Sequence, residues 1–317
     1  MNVQPIVYDL TLAWKWELDV DFIQRVEAAA RERGLSVLQV VPKNLDEAIE
    51  KFSRGVTATR CFYDRASDED ERFLPLASSI ERSASGNGSA PPFIINPRSK
   101  AQRASDKATM HMELLAAGIR VPNTLIAPPF SIDPAFVLAD HDLKTLGTAF
   151  VIKPANTTGG GNGVIVGATT WKEVDQARKG LPQDKFLVQE IIKPAYLGDF
   201  RAWFRVYYSF RSAILCWWDD RTHVYEQVSA EDELYFGLDL LRRSVEKIHG
   251  ICGLEFFSTE FCQSTGGEFV AVDYVNEICD MRLQSKAPNG VPDSIVTLVA
   301  QQLVGHFVAT VSQSASP

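Results

Sequence analysis

Phe150-Val-Ile-Lys-Pro154, followed after two residues by Thr157-Thr-Gly-Gly-Gly-Asn-Gly-Val164, is the stretch on which the reading of this chain turns. An apolar run ends on a lysine, and a glycine-rich turn comes next. Glycines let backbone N–H groups approach a phosphate closely and point at it together. Lys153 adds a point charge for the same anion. The pattern is not a P-loop, because no Lys-Ser/Thr follows the glycines. Nor is it a dinucleotide fingerprint: Gly161-x-Gly163 has Val166 where a third glycine would stand, and the segment leads into a strand rather than a helix. Taken alone, the same residues describe a plain β-hairpin with a flexible tip equally well.

Three further pieces follow in order. Lys185-Phe-Leu-Val-Gln-Glu-Ile-Ile192 is an apolar strand with a polar pair, able to lay backbone groups against an adenine edge, though most such strands are only core. Gly198-Asp-Phe-Arg-Ala-Trp-Phe-Arg205 sets Arg201 and Arg205 four residues apart. On a strand, even spacing puts both on one face and Phe200, Phe204 and Val206 on the other. Two guanidinium groups on one face suit phosphate or carboxylate, or else a solvated face with ion pairs. Last, Glu255-Phe-Phe-Ser-Thr-Glu260 and Glu268-Phe-Val-Ala-Val-Asp273-Tyr-Val-Asn276-Glu277 read as the two arms of a hairpin with Glu260 and Asp273 on neighbouring strands. Two carboxylates and an amide oxygen are hard ligands suited to Mg²⁺ on a phosphate. Asp273 lies inside the apolar run FVAVDYV, where an uncompensated charge is costly, and this favours a ligand role.

The chain around these pieces has 317 residues, about two domains on the usual prior. At 45% hydrophobic and 23% charged it matches soluble globular proteins and excludes a disordered chain or a coiled coil. A net charge of -8 argues against nucleic acid or an anionic membrane as partner. The start carries no basic n-region and no unbroken apolar core, so no signal peptide is expected. No unbroken apolar run has the length of a membrane span. The five cysteines are scattered without a CxxC pair, which fits a reducing cytoplasm rather than a disulfide framework.

The first hundred residues alternate strands (Ile6 to Leu10, Leu35 to Val41, Ala58 to Tyr63, Phe93 to Asn96) with helices (Asp19 to Arg33, Leu45 to Ser53 with an Asn44/Glu47 capping box, Asp68 to Arg82 kinked or divided at Pro75). That alternation predicts a parallel α/β unit. Residues 83 to 92, SASGNGSAPP, form the most loop-like stretch. From Ala149 onward short strands dominate, interrupted by helices at Lys172 to Lys179 and Asp232 to His249. A last helix, Ser294 to Val311, precedes the polar tail SQSASP, expected to be disordered.

Taken in order, the pieces resemble the ATP-grasp superfamily from about Asn96 to Ser285, and the first hundred residues resemble its pre-ATP-grasp domain. Asn96-Pro97, then Ser105-Asp106-Lys107, a helix, and Gly118-Ile-Arg-Val-Pro-Asn-Thr124 are similar to the lead-in to the ATP-binding core. The resemblance implies an α/β and α+β fold: a parallel α/β pre-ATP-grasp domain (1–103), a small subdomain (104–190) and a large subdomain with the C-terminal helix (191–317). It implies that Lys107 and Lys153 contact the phosphates of ATP and that Gly159, Gly160, Gly161 and Gly163 form the flap over them. Gln189, Glu190 and Ile192 would read adenine, mostly through backbone. Asp199-x-Arg201 matches the family's opening of the next strand, with Arg201 facing the γ-phosphate or acyl phosphate. Arg205 and Arg282 join it on the substrate side. Glu260, Asp273 and Asn276 would hold Mg²⁺ or Mn²⁺. One departure stands out. The family has carboxylate-x-Asn, whereas Asp273-Tyr-Val-Asn276 has an odd spacing that separates the two side chains on a regular strand. Either a bulge or a strand end rejoins them, or Glu277 supplies the third ligand.

The implied activity is an ATP-dependent ligase that joins a small-molecule carboxylate to an amine or other nucleophile. A kinase acting on a hydroxyl and a non-catalytic ATP-binding scaffold are the rival readings. His111, His223 and His249 are isolated and read as bland. Of Trp217 and Trp218, one must point outward on a strand unless something covers it, the place where a homodimer contact would form.

Overall fold

In a computed structural model, residues 4–83, 91–156 and 161–314 are described. Residues 1–3, residues 84–90 of the stretch read as loop-like, Thr157, Thr158, Gly159, Gly160 and the last three residues of the tail lie outside them. The elements in order are β1 (Ile6–Trp14), α1 (Val20–Arg31), β2 (Val37–Val40), α2 (Leu45–Ser53), β3 (Thr57–Arg65), α3 (Leu74–Ser83), β4 (Phe93–Ile95), α4 (Arg98–Ser105), α5 (Lys107–Ala116), β5 (Thr124–Ala127), α6 (Asp140–Lys144), β6 (Phe150–Pro154), β7 (Ile165–Ala168), α7 (Trp171–Gly180) and β8 (Phe186–Glu190). Then come β9 (Tyr196–Leu197), β10 (Phe200–Arg201), β11 (Trp203–Ser209), β12 (Ser212–Trp218), β13 (Tyr225–Gln227), α8 (Ala230–Tyr235), α9 (Asp239–Cys252), β14 (Phe256–Gln263), β15 (Phe269–Asn276) and α10 (Asp293–Ser314).

The α/β alternation produces a parallel sheet of order β2-β1-β3-β4. α1 buries Phe22, Ile23, Val26, Ala29 and Ala30, one face at helical spacing, beside it. The expected capping box at Asn44 does not form. Its side chain instead accepts from Val41 N and donates to Gln39 O, closing the turn before the helix. The stretch is divided near Pro75: a 3-10 turn over Glu71–Phe73 leads into α3, and Pro75 sits in that helix's first turn, where its missing N–H costs nothing. The stretch Asp232 to His249 is two helices, broken around Gly237.

The rest is antiparallel: a four-stranded sheet of order β5-β8-β6-β7, a five-stranded sheet of order β13-β12-β11-β14-β15, and the small β9-β10 hairpin. The five-stranded sheet is covered on both faces. Phe204, Val206, Tyr208 and Phe257 pack with Leu241, Val245 and Ile248 of α9. Tyr207, Ile214 and Phe256 pack with α1, α10 and the parallel sheet. Double burial shows in β14, where Phe256 to Cys262 are all buried although Ser258, Thr259 and Glu260 are polar. Toward the other end of the second face the same strands turn polar, at Arg205, Ser258 and Glu260, and the site opens there.

By length and composition Asp293–Val311 of α10 could cross a membrane, with mean hydropathy 1.5, although no unbroken apolar run marks it in the sequence. Its apolar side chains are instead spent on the protein: Ile295, Val296, Val299, Leu303, Val304 and Phe307 are buried in the core with α1. The Trp217–Trp218 pair is covered on both sides as well. Trp217 is buried against Phe200, Phe204 and Phe236, while Trp218 stacks on His223 and under Arg205.

Two buried polar fasteners join the parallel sheet to the site-bearing region. Arg65, at the end of β3, makes a bidentate pair with Asp19 at 2.7 and 2.8 Å and donates to Cys279 O at 2.9 Å. Asn96, with a positive φ of 51°, accepts from Glu255 N and Phe256 N and donates to Glu277 O. Asp19→Ala would leave the Arg65 guanidinium charged and half-satisfied in a dry interior. It is expected to lower unfolding stability by about 3–5 kcal/mol in urea titration.

Candidate functional site

Lys107 is held in place by its own helix. Asp106 caps α5, its carboxylate accepting from Ala108 N and Thr109 N at 3.0 and 3.1 Å and pairing with Lys185. Lys107 N donates to Ala155 O at 3.1 Å, which docks the start of α5 on the end of β6. β6 delivers Lys153 to the same place, where Lys153 Nζ donates to Val272 O at 2.9 Å. Lys107 Nζ lies 3.7 Å from Asp273 Oδ1. A helix N-terminus and a strand end thus bring two ammonium groups to one strand, β15.

β15 is where the odd spacing is resolved. Glu260 pairs with Asp273, but Ser258 pairs with Asn276, so two steps along β14 match three along β15. The extra residue is a bulge, and it turns Asn276 back toward Asp273. Asn276 Nδ2 donates to Asp273 Oδ2 at 3.1 Å, which leaves Asn276 Oδ1 and Asp273 Oδ1 facing outward from that bond. Glu260, directly across the ladder from Asp273, pairs with Arg205 and accepts from Trp203 Nε1 at 3.3 Å. Among the described residues no three His, Cys, Asp or Glu side chains gather as a metal-binding group. Two carboxylates and one amide oxygen are a fitting donor set for a hard ion that takes its remaining ligands from phosphate and water. Glu277 follows at the strand end, where its backbone carbonyl accepts from Asn96 Nδ2 and burial pushes its carboxyl up against the pull of Lys107.

The charges compensate one another. Burial raises the pKa of Asp273, but Lys107, Lys153 and Arg205 together outweigh it and hold the carboxyl below its ordinary value. Burial lowers the pKa of Lys153, against the pull of Asp273 and Glu260.

The arginines do not share one environment. Regular pairing breaks at Ala202, so Arg201 belongs to the β9-β10 hairpin and makes a bidentate pair with Asp220 at 2.7 and 2.8 Å. Arg205 reaches Glu260, its guanidinium 5.1 Å over the Trp218 ring. Arg205 Nε and Trp218 Nε1 are buried without an acceptor among the described residues. Arg282 is paired with Asp280 beside Trp16. Asp199 sits exposed in the two-residue turn of the hairpin.

Glu190 and Ile192 line a cavity of about 250 Å³ between the strand end 190–193 and the β14-β15 turn, with Arg120 and Glu268 at its rim. The Gln189 side chain points elsewhere, into the interior, where it meets Tyr274 and Thr124. Gly161 and Gly163 both have positive φ, 79° and 74°, and a Cβ on Gly163 would stand 3.1 Å from Pro154. Sequence reading passed over Tyr274, Trp203 and His111. Tyr274 and Trp203 looked like core aromatics, and nothing local marks His111, whose partner is 163 residues away.

No protein-family profile matches the chain, and no curated protein matches it by sequence. By structure it is similar to the ATP-grasp ligase PsnB complexed with precursor peptide PsnA2 and AMPPNP, at 14% identity, with 95% of this chain and 97% of that one covered and a TM-score of 0.63. D-alanine–D-alanine ligase from Bacillus anthracis complexed with ATP aligns at 11% identity over 96% and 99%, TM-score 0.66. A RimK-domain ATP-grasp protein from Sphaerobacter thermophilus aligns at 20% identity over 94% and 98%, TM-score 0.60. The chain has the ATP-grasp fold over nearly its whole length.

Burial holds the pKa of His111 and of His306 below the ordinary histidine value, with Glu255 opposing this at His306. Each is therefore neutral in the fold while the unfolded chain takes up protons below about pH 6.5. Their contribution is complete above that pH and is lost as pH falls through the folded values. Urea stability should decline from pH 6.5 toward 5, and His111→Asn should flatten part of that decline.

Proposed function

We propose that the chain is an ATP-dependent ligase that activates a carboxylate and joins it to an amine or another nucleophile. The observation that carries this reading is one cluster: two ammonium groups, from α5 and β6, facing Glu260, Asp273 and Asn276 across a bulged strand pair. Cations that meet a polyphosphate and oxygens that hold a divalent ion stand within one charge network, beside a buried guanidinium. No side-chain nucleophile is required by such chemistry, and no Ser/His or Cys/His array is visible in the sequence.

In this reading Lys153 and Lys107 bind the phosphates, and the backbone at 190–192 takes the adenine in the adjoining cavity. Glu260, Asp273 and Asn276 would hold Mg²⁺ or Mn²⁺, whose chemistry is to neutralise charge on phosphoryl oxygens. Arg205, fixed by Glu260 and Trp218, keeps its Nε–H, which has no acceptor among the described residues, for an oxygen of the acid or of the transferring phosphoryl group. Arg201 and Arg282 serve the same side. The acid oxygen attacks the γ-phosphorus, the bond to ADP breaks, and an acyl phosphate forms. The nucleophile attacks the acyl carbon, phosphate leaves, and the nucleophile's proton passes to solvent. The protein supplies position and electrostatics. The acid is a small molecule or a peptide side chain, the latter suggested by the precursor peptide in the PsnB complex.

ADP release with pooled carboxylic acids, carboxylate-bearing peptides and amines tests the reading. Release that needs both an acid and a nucleophile supports it. Release with a hydroxyl acceptor alone would make the protein a kinase, and nucleotide binding without turnover a scaffold. Lys153→Ala should abolish turnover with the fold intact by circular dichroism; wild-type rates would remove Lys153 from the site. Alanine at Glu260 or Asp273 should weaken the Mg²⁺-dependent thermal stabilisation by AMPPNP, since ion and nucleotide bind as a unit. Gly161→Ala loses a positive φ and should lower kcat more than it weakens nucleotide binding, as measured by single-turnover kinetics and equilibrium titration.

A further inference from the structure

Behind the site, on the face of β15 away from Asp273, a buried hydrogen-bond chain crosses three elements. Tyr274 Oη lies 2.7 Å from His111 Nδ1 on α5 and 2.8 Å from Gln189 Nε2 on β8. Gln189 Nε2 also lies 3.0 Å from Thr124 Oγ1 on β5. Tyr274 is 2% exposed, Gln189 2% and His111 4%. The amide nitrogen can only donate, so the tyrosine oxygen accepts from it, and Oη shares a second hydrogen bond with His111 Nδ1 whose direction follows the imidazole tautomer.

The position of this chain in the sequence matters more than its strength. Tyr274 lies within the bulge, between Asp273 and Asn276, where three residues of β15 face two of β14. A bulge gives up regular ladder bonds and needs something to hold its local geometry. His111 stands one helical turn after Lys107, so the same face of α5 presents Lys107 to Asp273 and His111 to Tyr274. β8, which carries Gln189, leads directly into the strand end at 190–193.

We infer that Tyr274, with His111 and Gln189 as its partners, is a positioning residue. Its hydroxyl pins the β15 bulge and so sets Asp273 and Asn276 side by side for the divalent ion, in register with Lys107 and with the nucleotide strand. The inference rests on the proposed metal–nucleotide site and goes beyond it by naming what fixes its geometry. A tyrosine that merely filled the core would do so equally well as phenylalanine.

Two measurements on the full chain test it. One is hydrogen exchange over 272–277 without metal or nucleotide. The other is the Mg²⁺ concentration at half-maximal thermal stabilisation by AMPPNP. Tyr274→Phe and His111→Leu should speed exchange in that segment and raise the Mg²⁺ midpoint about three- to tenfold, the size of one buried hydrogen bond. His111→Asn, which keeps an acceptor near the Nδ1 position, should return both close to wild type. If Tyr274→Phe lowers the melting temperature but leaves the exchange and the Mg²⁺ midpoint unchanged, the hydroxyl is only structural and the inference fails. If His111→Asn behaves as His111→Leu, His111 is not the hydrogen-bond partner that matters and its part is withdrawn. Should AMPPNP not stabilise the wild type at all, the nucleotide reading fails, while exchange still decides whether the hydroxyl holds the bulge.

Discussion

The compensation of one carboxylate, Asp273, organises the region around it. The carboxylate stands in an apolar strand where burial alone would drive it toward the protonated form, and three cations from three different elements reverse that. Lys107 comes from a helix N-terminus, Lys153 from the end of an antiparallel strand and Arg205 from the neighbouring ladder. Each of those elements has to be placed by packing for the charges to meet. An ionised group in this position is therefore a statement about the whole arrangement, because removing any one element would leave an uncompensated charge.

The local backbone is as important as the charges. A regular strand would turn Asp273 and Asn276 to opposite faces. The bulge in β15 turns them to one, and their mutual hydrogen bond records it. Glu277, just beyond the strand, is tied to the junction with Asn96 through its backbone carbonyl, while Lys107 and Asp273 both act on its carboxyl. The large antiparallel sheet can hold such an irregularity because both its faces are packed, one on α9 and the other on α10 and the parallel sheet. Arg65 and Asn96 then tie the parallel sheet to the loop and strand start that flank the cluster.

Fold and candidate site were unevenly legible. Strand and helix alternation in the first hundred residues, the lysine-ended strand and the arms of the β14-β15 hairpin could all be read, because each depends on periodicity within ten residues or so. Helix breaks were less legible. The division of the Asp232 to His249 stretch and the helical start of α3 at Pro75 depend on local competition that periodicity does not express. Arg201 and Arg205 were placed on one face by their even spacing. The interruption at Ala202, whose N–H goes to Ala195 O and whose carbonyl accepts from Gln263 N, gives them separate partners instead.

What the residues by themselves determined is the set of local elements and the chemical types available: ammonium groups, carboxylates, guanidinium groups and glycines in an order that matches one fold. Tertiary structure alone decided which of them meet. His111 and Tyr274 are 163 residues apart and Arg205 and Glu260 are 55 apart. Neither pair has a sequence signal, since their contact follows from how a helix and three strands pack. The physical reason is one of range. Backbone preference and side-chain periodicity act over a turn or two, whereas the energy of a buried charge or hydrogen bond depends on what the completed fold sets beside it.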